Sequence, residues 1–245
     1  MRRVVIIQAR MTSTRLPGKV LLNLAGRPML SQQVQRLKAC QRVDEIVIAT
    51  TTNATDDPVI ELARQDNVGW FRGSESDVLA RYVGAAQQAQ AGAVVRITAD
   101  CPLIDPQLVD RALDELNDYA AECDYVSNVI KRTYPRGLDV EAFFFDTLLR
   151  VNRLAQSSPA REHVTVVVRS EKPELFLTRD IVDRHDNSDL RWTVDTPVDF
   201  EVIRQLYDFF DLGTKIAPYS DMITYVRAHP DLARLNTHID TWNPG

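Results

Sequence analysis

The first 125 residues alternate between short apolar runs and amphipathic stretches, and this alternation limits the possible folds most strongly. Residues 4–8, 45–51 and 93–98 have the length and apolar character of buried strands. Between them, residues 28–40 and 77–90 carry apolar side chains at helical spacing. Strands that alternate with helices predict an α/β fold in which helices cover both faces of a parallel sheet.

The same pattern predicts further strands at residues 68–72 and 124–128 and helices at 58–65 and 105–117. The second half is less regular, and its expected elements are helices at 146–154 and 161–170, extended stretches within 134–145 and at 174–182, a short strand at 190–194, and C-terminal helices before an irregular end. Asp105 before Pro106 and Thr196 before Pro197 are typical helix N-caps, and Asp199 adds a weak capping box to the second. A length of 245 residues fits one domain, which we divide into residues 1–129, 130–190 and 191–245.

Composition excludes several classes of protein. The formal net charge of −5 argues against a nucleic-acid or membrane-surface binder, because either would need a basic face. The three cysteines, Cys40, Cys101 and Cys123, are too few and too widely spaced for a disulfide framework, which favours thiols in a reducing cytoplasm. The apolar run at the N-terminus is too short for a signal peptide or a membrane span. We therefore expect a cytoplasmic protein that binds neither nucleic acid nor membranes.

The loop that leaves the first strand, ARMTSTRLPGK, concentrates positive charge in an acidic chain. Ligands of open α/β sheets bind at the carboxyl ends of the strands, where this loop begins. We expect Arg10, Arg15 and Lys19 to converge on a polyphosphate, and Pro17 and Gly18 to turn the chain. The spacing matches neither a P-loop nor a dinucleotide-binding fingerprint. The alternative is a solvated basic loop.

Two aspartates follow predicted strands and precede prolines in matching settings, Asp100 in VVRITADCP and Asp195 in LRWTVDTP. Both should reach the same edge of the sheet as the opening loop. Two carboxylates beside bound phosphates suit Mg²⁺, which prefers oxygen ligands. The alternative is that each aspartate only caps a helix or forms a turn beside its proline.

Two later segments are dense in polar side chains. YPRGLDVEAF contains Tyr134, Arg136, Asp139 and Glu141, and REHV contains Arg161 and His163. These six residues form the expected substrate-binding set, in which the arginines and the histidine receive an acidic substrate. For REHV, the alternative is a helix N-terminal turn with ordinary surface charge.

The opening segment ARMTSTRLPGKVL resembles the nucleotide-binding signature of the sugar-acid cytidylyltransferases, which include the CMP-Kdo and CMP-sialic acid synthetases. The segments VRITADCPLID, DYVSN, YPRGLDVEAF, REHVT and WTVDTPVDFEVI resemble the spore-coat-polysaccharide SpsF-type branch. The resemblance covers residues 1–205 and implies a GT-A-like nucleotide-diphospho-sugar transferase fold. That fold is a three-layer α/β/α sandwich with a mostly parallel mixed sheet.

The resemblance implies that a sugar-acid hydroxyl attacks the α-phosphorus of CTP and that pyrophosphate leaves. Lys19, Asp100 and Asp195 would be catalytic, with both aspartates on Mg²⁺. The nucleotide-binding set that it implies is Ala9, Arg10, Ser13, Arg15, Gly18, Lys19, Arg72 and Thr98. Thr98 stands where the synthetases carry a glutamine that helps to read the base. The implied partners are CTP and a small acidic acceptor in surface polysaccharide synthesis, and a homodimer is expected with its interface in residues 130–190.

Two other functions compete with this one. A GT-A glycosyltransferase would share the sheet, but such enzymes usually carry an Asp-x-Asp pair, and here Asp100 is followed by Cys101 and Pro102. A non-catalytic nucleotide-binding module would bind CTP without releasing pyrophosphate.

Overall fold

The computed structural model describes residues 1–239, and a seven-stranded sheet is the centre of the fold. In spatial order its strands are β5 (Gly69–Gly73), β4 (Glu45–Thr51), β1 (Arg3–Gln8), β6 (Ala93–Thr98), β8 (Glu141–Phe144), β7 (Tyr125–Ser127) and β9 (Thr178–Asp180). Only β8 runs antiparallel to its neighbours. The strands β2 (Asn23–Leu24) and β3 (Arg27–Pro28) form a separate two-stranded ribbon. The mostly parallel mixed sheet is therefore confirmed.

Helices cover both faces of this sheet. In the described part of the chain they are α1 (Met29–Leu37), α2 (Asp57–Gln65), α3 (Val78–Gln88), α4 (Pro106–Asp118), α5 (Phe145–Leu154), α6 (Ser158–His163), α7 (Pro197–Phe210), α8 (Tyr219–Ala228) and α9 (Pro230–Arg234). Side chains alternate along a strand, so β1 serves two cores. Val5 and Ile7 pack with α1, α2, α4 and α7, while Val4 and Ile6 pack with α3 and α5. These are the three predicted layers.

Both predicted helix caps are present. The Asp105 carboxylate accepts hydrogen bonds from the backbone N–H groups of Gln107 and Leu108. The Thr196 hydroxyl accepts from the N–H of Asp199, whose carboxylate accepts in return from the N–H of Thr196. These reciprocal bonds form the capping box that begins α7.

The continuous helix predicted for residues 161–170 is wrong. α6 ends at His163, Val164 has a φ of +57° in a tight turn, and a five-residue π-helix follows at Val167–Glu171. Residues 164–168 are all β-branched, and such side chains lose rotamer freedom in an α-helix. A positive φ is unusual for valine, so the turn after His163 is a strained position.

The strand predicted for residues 190–194 is also wrong, because this segment makes a single bridge, between Arg136 and Arg191. Within 174–182 only β9 is a strand, and a 3₁₀ turn at Pro173–Leu175 precedes it. C-terminal helices α7, α8 and α9 are present as predicted. The expected irregular end includes residues 240–245, which lie outside the described residues.

The order of the strands determines where a ligand can enter. From β1 the chain moves outward through β4 to β5, and α3 then returns it to β6 on the other side of β1. The carboxyl ends of β1 and β6 therefore lie at a topological switch point, where open α/β sheets bind ligands. None of the helices in residues 1–239 is both long enough and apolar enough to cross a bilayer.

Candidate active site

Hydrogen bonds at Met11 fix the shape of the opening loop. The buried Asp56 carboxylate accepts from the N–H of Met11 at 2.7 Å and from the hydroxyl of Thr50 at the end of β4. Gly18, in the left-handed region at a φ of 70°, donates its N–H to the carbonyl of Met11 at 2.9 Å. A 3₁₀ turn at Lys19–Leu21 follows and directs Lys19 back toward the sheet.

Lys19 is shared by the two predicted metal-binding aspartates. Its Nζ lies 2.9 Å from Oδ1 of Asp195 and 3.7 Å from Oδ2 of Asp100, and it donates to the carbonyl of Val194 at 2.7 Å. Arg15 lies on the other side of Asp195, with Nη2 3.0 Å from Oδ2. The structure thus brings Arg15, Lys19 and both aspartates together. Arg10 does not join them: its nearest carboxylate is that of Glu75, at 3.5 Å.

Charge keeps this cluster ionised despite its burial. Burial disfavours the charge on Lys19, but Asp100 and Asp195 outweigh it and raise the pKa of the ammonium group. Burial likewise favours a neutral Asp195, but Lys19, Arg15 and Arg191 together lower the pKa of its carboxyl. The ammonium and the Asp195 carboxylate are therefore both charged at neutral pH.

Asp195 is also held by Arg191 and Asp199, neither of which was expected in the site from the sequence. Arg191 reaches Asp195 through Nη2 at 2.8 Å and Asp199 through Nε at 2.9 Å. Asp199 is fully buried and also accepts from the N–H of Asp195 and from the side chain of Asn236. The sequence marks Asp199 only as the capping-box residue of α7, and no local signal marks Arg191, because a spacing of four brings side chains together only within a helix.

Asp100 and Asp195 both border a cavity of about 200 Å³, which we call the acceptor cavity after the role that we propose for it. Its lining residues are Arg15, Thr98, Asp100, Cys101, Arg136, Asp139, Arg191, Thr193 and Asp195. The Thr98 hydroxyl donates to Oδ1 of Asp100 at 2.5 Å, so it orients that carboxylate. Gln33, buried in α1, donates to the carbonyls of Thr98 and Cys101 and fixes the turn that carries Asp100.

A second and larger cavity, of about 830 Å³, lies beside the end of β1, and we call it the nucleoside cavity after the role that we propose for it. Its lining residues are Gln8, Ala9, Arg10, Glu75, Ser76, Asp77, Val78, Arg81, Gln156, Ser158, Arg161, Glu162 and His163. Gln8 in this cavity and Thr98 in the acceptor cavity are register partners on β1 and β6. The two cavities therefore open at neighbouring strand ends of the switch point.

The predicted substrate-binding residues divide between the two cavities. Arg136 and Asp139 line the acceptor cavity, and Arg161 and His163 line the nucleoside cavity. Arg161 pairs with Asp77, the N-cap of α3, with Nε 3.0 Å from Oδ1. Burial lowers the pKa of His163, so its imidazole is neutral at pH 7.

Tyr134 and Glu141, the other two residues of the expected substrate-binding set, lie inside the fold and line neither cavity. Tyr134 is 3% exposed, accepts from Arg111 at 3.2 Å and packs against Tyr219. Glu141, also 3% exposed, pairs inside the fold with Arg96 and accepts from the hydroxyls of Tyr125 and Thr165. Glu141 points inward from β8, which has a neighbouring strand on each side. Its carboxylate therefore forms a buried ion pair instead of facing a cavity.

The remaining residues of the predicted nucleotide-binding set lie in different places. Ala9 and Arg10 line the nucleoside cavity, and Ser13 and Gly18 lie in the loop. Arg72 is in neither lining set: it donates to the carbonyls of Thr51 at 2.8 Å and Asn53 at 2.6 Å and pairs with Asp57. It holds the loop between β4 and α2. Sequence reasoning missed Glu75 and Arg81, which do line the nucleoside cavity.

Comparison with known proteins gives consistent results. The model of the cytidylyltransferase family matches residues 4–217. The spore coat polysaccharide biosynthesis protein SpsF of Bacillus subtilis is 32% identical over 93% of this chain and 95% of its own. The structure of a cytidylyltransferase from Leptospira borgpetersenii superposes with a TM-score of 0.90 at 30% identity, covering 99% of this chain and all of that one. A CMP-2-keto-3-deoxy-manno-octonic acid synthetase solved with CTP shares the fold, with a TM-score of 0.64 at 21% identity over 85% of this chain and 99% of that chain.

Proposed function

Because this chain belongs to the cytidylyltransferase family, we propose that it transfers CMP from CTP to the hydroxyl group of a sugar acid and releases pyrophosphate. The observation that carries the proposal is the Lys19 ammonium group shared by Asp100 and Asp195 at the switch point. The relationship to SpsF places the reaction in the synthesis of a surface polysaccharide. The resemblance of the opening loop to the family signature supports CTP as the nucleotide substrate.

Each of the two cavities binds one of the two substrates. The nucleoside occupies the larger cavity beside Ala9 and Arg10, and the triphosphate extends from it toward Arg15 and Lys19. Arg15 is 48% exposed and offers forked donors, so it can turn from Asp195 to a phosphate. Lys19 supplies a compact charge to the same phosphates.

A magnesium ion fits the carboxylate pair. Asp100 and Asp195 already share one cation, the Lys19 ammonium, and offer the oxygen donors that Mg²⁺ prefers. Among residues 1–239 no group of three or more His, Cys, Asp and Glu side chains is arranged around a metal, so the phosphates of the nucleotide would complete the coordination. When bound, the ion would neutralise charge on the phosphates during the transfer.

The acid group of the acceptor binds Arg136 in the smaller cavity. Arg136 forms no ion pair within residues 1–239, whereas its neighbour Asp139 is paired with Arg132. Burial, followed by the charge of Arg132, lowers the pKa of Arg136, and the negative charge of a bound carboxylate would offset both effects. The chain thus holds the acceptor beside the catalytic aspartates.

The reaction depends on position and on charge. The acceptor hydroxyl oxygen forms a bond to the α-phosphorus and gives up its proton to solvent, while the bond to the pyrophosphate oxygen breaks. Lys19 and Arg15 offset the charge that gathers on the leaving pyrophosphate. Arg191 and Asp199 keep Asp195 in place, and Thr98 keeps Asp100 in place. No side chain forms a covalent intermediate in this scheme.

Two further parts of the proposal concern the setting of the protein. A homodimer formed through residues 130–190 is supported by Leu175 and Leu177, which are 48% and 58% exposed beside the edge strand β9. A reducing, cytoplasmic location is supported by three free thiols, two of them buried.

Pyrophosphate release tests the proposed function. The purified protein is mixed with Mg²⁺, each of the four nucleoside triphosphates and a panel of sugar acids that includes an ulosonic acid. Release that needs both CTP and one acid, and that is lost in Lys19→Ala, is the expected result. CTP binding without release across the panel would favour the binding module. Failure to bind any nucleoside triphosphate, with turnover of a nucleotide sugar, would favour the glycosyltransferase.

A further inference from the structure

Arg81 is a buried cation that no carboxylate balances. It lies in the second turn of α3, is 2% exposed, and lines the nucleoside cavity. Its Nη1 donates to the carbonyl of Ser74 at 2.8 Å, but Nε has no hydrogen-bond partner. Within residues 1–239, no carboxylate lies within ion-pair distance of its guanidinium. Burial is the largest influence on this group and lowers its pKa.

The other arginines of the cavity are already paired. Arg10 faces Glu75, and Arg161 binds both carboxylate oxygens of Asp77. A buried charge without a partner destabilises a fold unless something else compensates for it. Among the three arginines that line the cavity, Arg81 is therefore the one that no carboxylate holds.

Packing fixes the position of Arg81. A Cβ atom on Gly73 would lie 3.2 Å from Cγ and 3.3 Å from Cβ of Arg81, so the glycine makes room for this side chain. One turn further along α3, a Cβ on Gly84 would lie 2.3 Å from the ring of Phe71. These two close approaches hold α3 against β5. Packing thus fixes the Cβ and Cγ atoms of Arg81 and holds this side chain at the wall of the cavity.

We propose that Arg81 reads the pyrimidine base of the nucleotide by donating two N–H groups to O2 and N3 of cytosine. The proposal rests on the proposed function and names the residue that selects the base. Cytosine presents two adjacent acceptors at O2 and N3, which match the planar fork of a guanidinium. Uracil carries a hydrogen on N3 and would turn a donor toward the same fork. The Thr98 hydroxyl is turned toward Asp100 and lines the other cavity.

The test compares binding of CTP, UTP and inorganic tripolyphosphate by calorimetry. In Arg81→Met, affinity for CTP should fall about 10- to 100-fold, as expected for a lost bidentate contact to a base. Affinity for tripolyphosphate should not change, and the preference for CTP over UTP should approach one. Arg81→Lys keeps the charge without the fork and should also lose the preference.

Arg36→Met is the matched control. Arg36 is another arginine that is 2% exposed, its Nη atoms have no partner, and it lines neither cavity of the site. This variant should keep the base preference even if its stability changes. An unchanged CTP to UTP ratio in both Arg81 variants would overturn the proposal, as would a parallel loss of tripolyphosphate affinity, which would assign Arg81 to phosphate. Binding is measured without an acceptor, so absence of transfer would count against the proposed function and leave this result standing.

Discussion

At the scale of single residues, the site is a set of charges that satisfy one another before any substrate arrives. Lys19 and Arg15 are both paired with Asp195, and Lys19 also faces Asp100. A triphosphate would draw the two cations away and leave the carboxylates free for a divalent ion. The unliganded pairing therefore keeps the cluster neutral enough to be buried.

Removing Lys19 should abolish transfer. Lys19→Ala leaves two partly buried carboxylates without their shared cation and the triphosphate without its compact charge. We expect kcat/KM for CTP to fall by at least about 100-fold, the usual effect of losing one charge-stabilising group. Steady-state pyrophosphate release measures this, with thermal unfolding as a check on folding. Activity within a factor of about three of the wild type would contradict the assignment.

His163 should make stability depend on pH. The folded protein lowers the pKa of this imidazole from its ordinary value of 6.5, chiefly through burial, with Arg96 and Arg169 in the same direction and Glu162 opposing them. The unfolded chain therefore binds more protons, and the contribution of the neutral ring is lost as pH falls below about 6.5. His163→Gln should remove this part of the dependence. Urea unfolding of both proteins at several pH values from about 8 to 5 measures the difference. Parallel curves would show that His163 does not titrate in this way.

At the scale of elements, two irregular segments, residues 134–139 and 191–195, bring the residues of the site together. The bridge between Arg136 and Arg191 places the segment 134–139 beside the segment that ends at Asp195. Gly137 allows this approach: its φ is +106°, and a Cβ there would lie 2.5 Å from the carbonyl carbon of Trp192. The N–H of Val194 donates to the carbonyl of Asp100, which links the two aspartates.

Gly137→Ala should be strongly destabilising. It combines an unfavourable φ with a backbone clash, and we expect a loss of at least about 3 kcal/mol in the free energy of unfolding. Gly26→Ala is the matched control, because Gly26 also has a positive φ of +86° but no atom within 4 Å of its added Cβ. That variant should lose only about 1 kcal/mol. Equal losses, measured by urea unfolding, would refute the close approach at Trp192.

The capping box of α7 should also support Asp195. Asp199→Asn removes the charge that pairs with Arg191 inside the fold and should destabilise the protein by about 3 kcal/mol at pH 7. The fold lowers the pKa of Asp199 from its ordinary 3.8: burial opposes the shift, but bonds from Arg191 and Asn236 and the charge of Arg191 outweigh it. Its contribution is therefore present above about pH 4 and is lost as pH falls below that value. Unfolding curves of the variant and the wild type should converge in acid, and a constant gap would contradict this role.

The sequence predicted correctly those elements that depend on residues close together in the chain. The alternation of strands and helices, the cap at Asp105 and the capping box at Thr196 are all present. The helix predicted through Val164 is interrupted because residues 164–168 are β-branched and disfavour a continuous α-helix. Glu141 was misplaced because its partner, Arg96, lies 45 residues earlier, and no local signal shows that a polar side chain is buried. Arg81 was missed because it sits inside an ordinary helical pattern.

At the scale of the whole molecule, strand order explains why an acidic protein concentrates cations in its first loop. The net charge is −5, yet the loop after β1 opens at the switch point between β1 and β6, where a ligand binds. Residues from the two halves of the chain meet there, since Lys19 comes from the first loop and Asp195 from the start of α7. The rest of the surface needs no basic charge, because the two proposed substrates are small anions that bind at this edge of the sheet.

CMP transfer requires that the bond between the α- and β-phosphates of CTP breaks. Phosphorus NMR of CTP, Mg²⁺, a sugar acid and the protein follows each phosphorus atom separately. We predict that the β- and γ-phosphates leave together as pyrophosphate while the α-phosphorus becomes a phosphodiester of the acceptor. Release of orthophosphate from the γ-position, or an intact triphosphate in the presence of an acceptor that binds, would contradict CMP transfer.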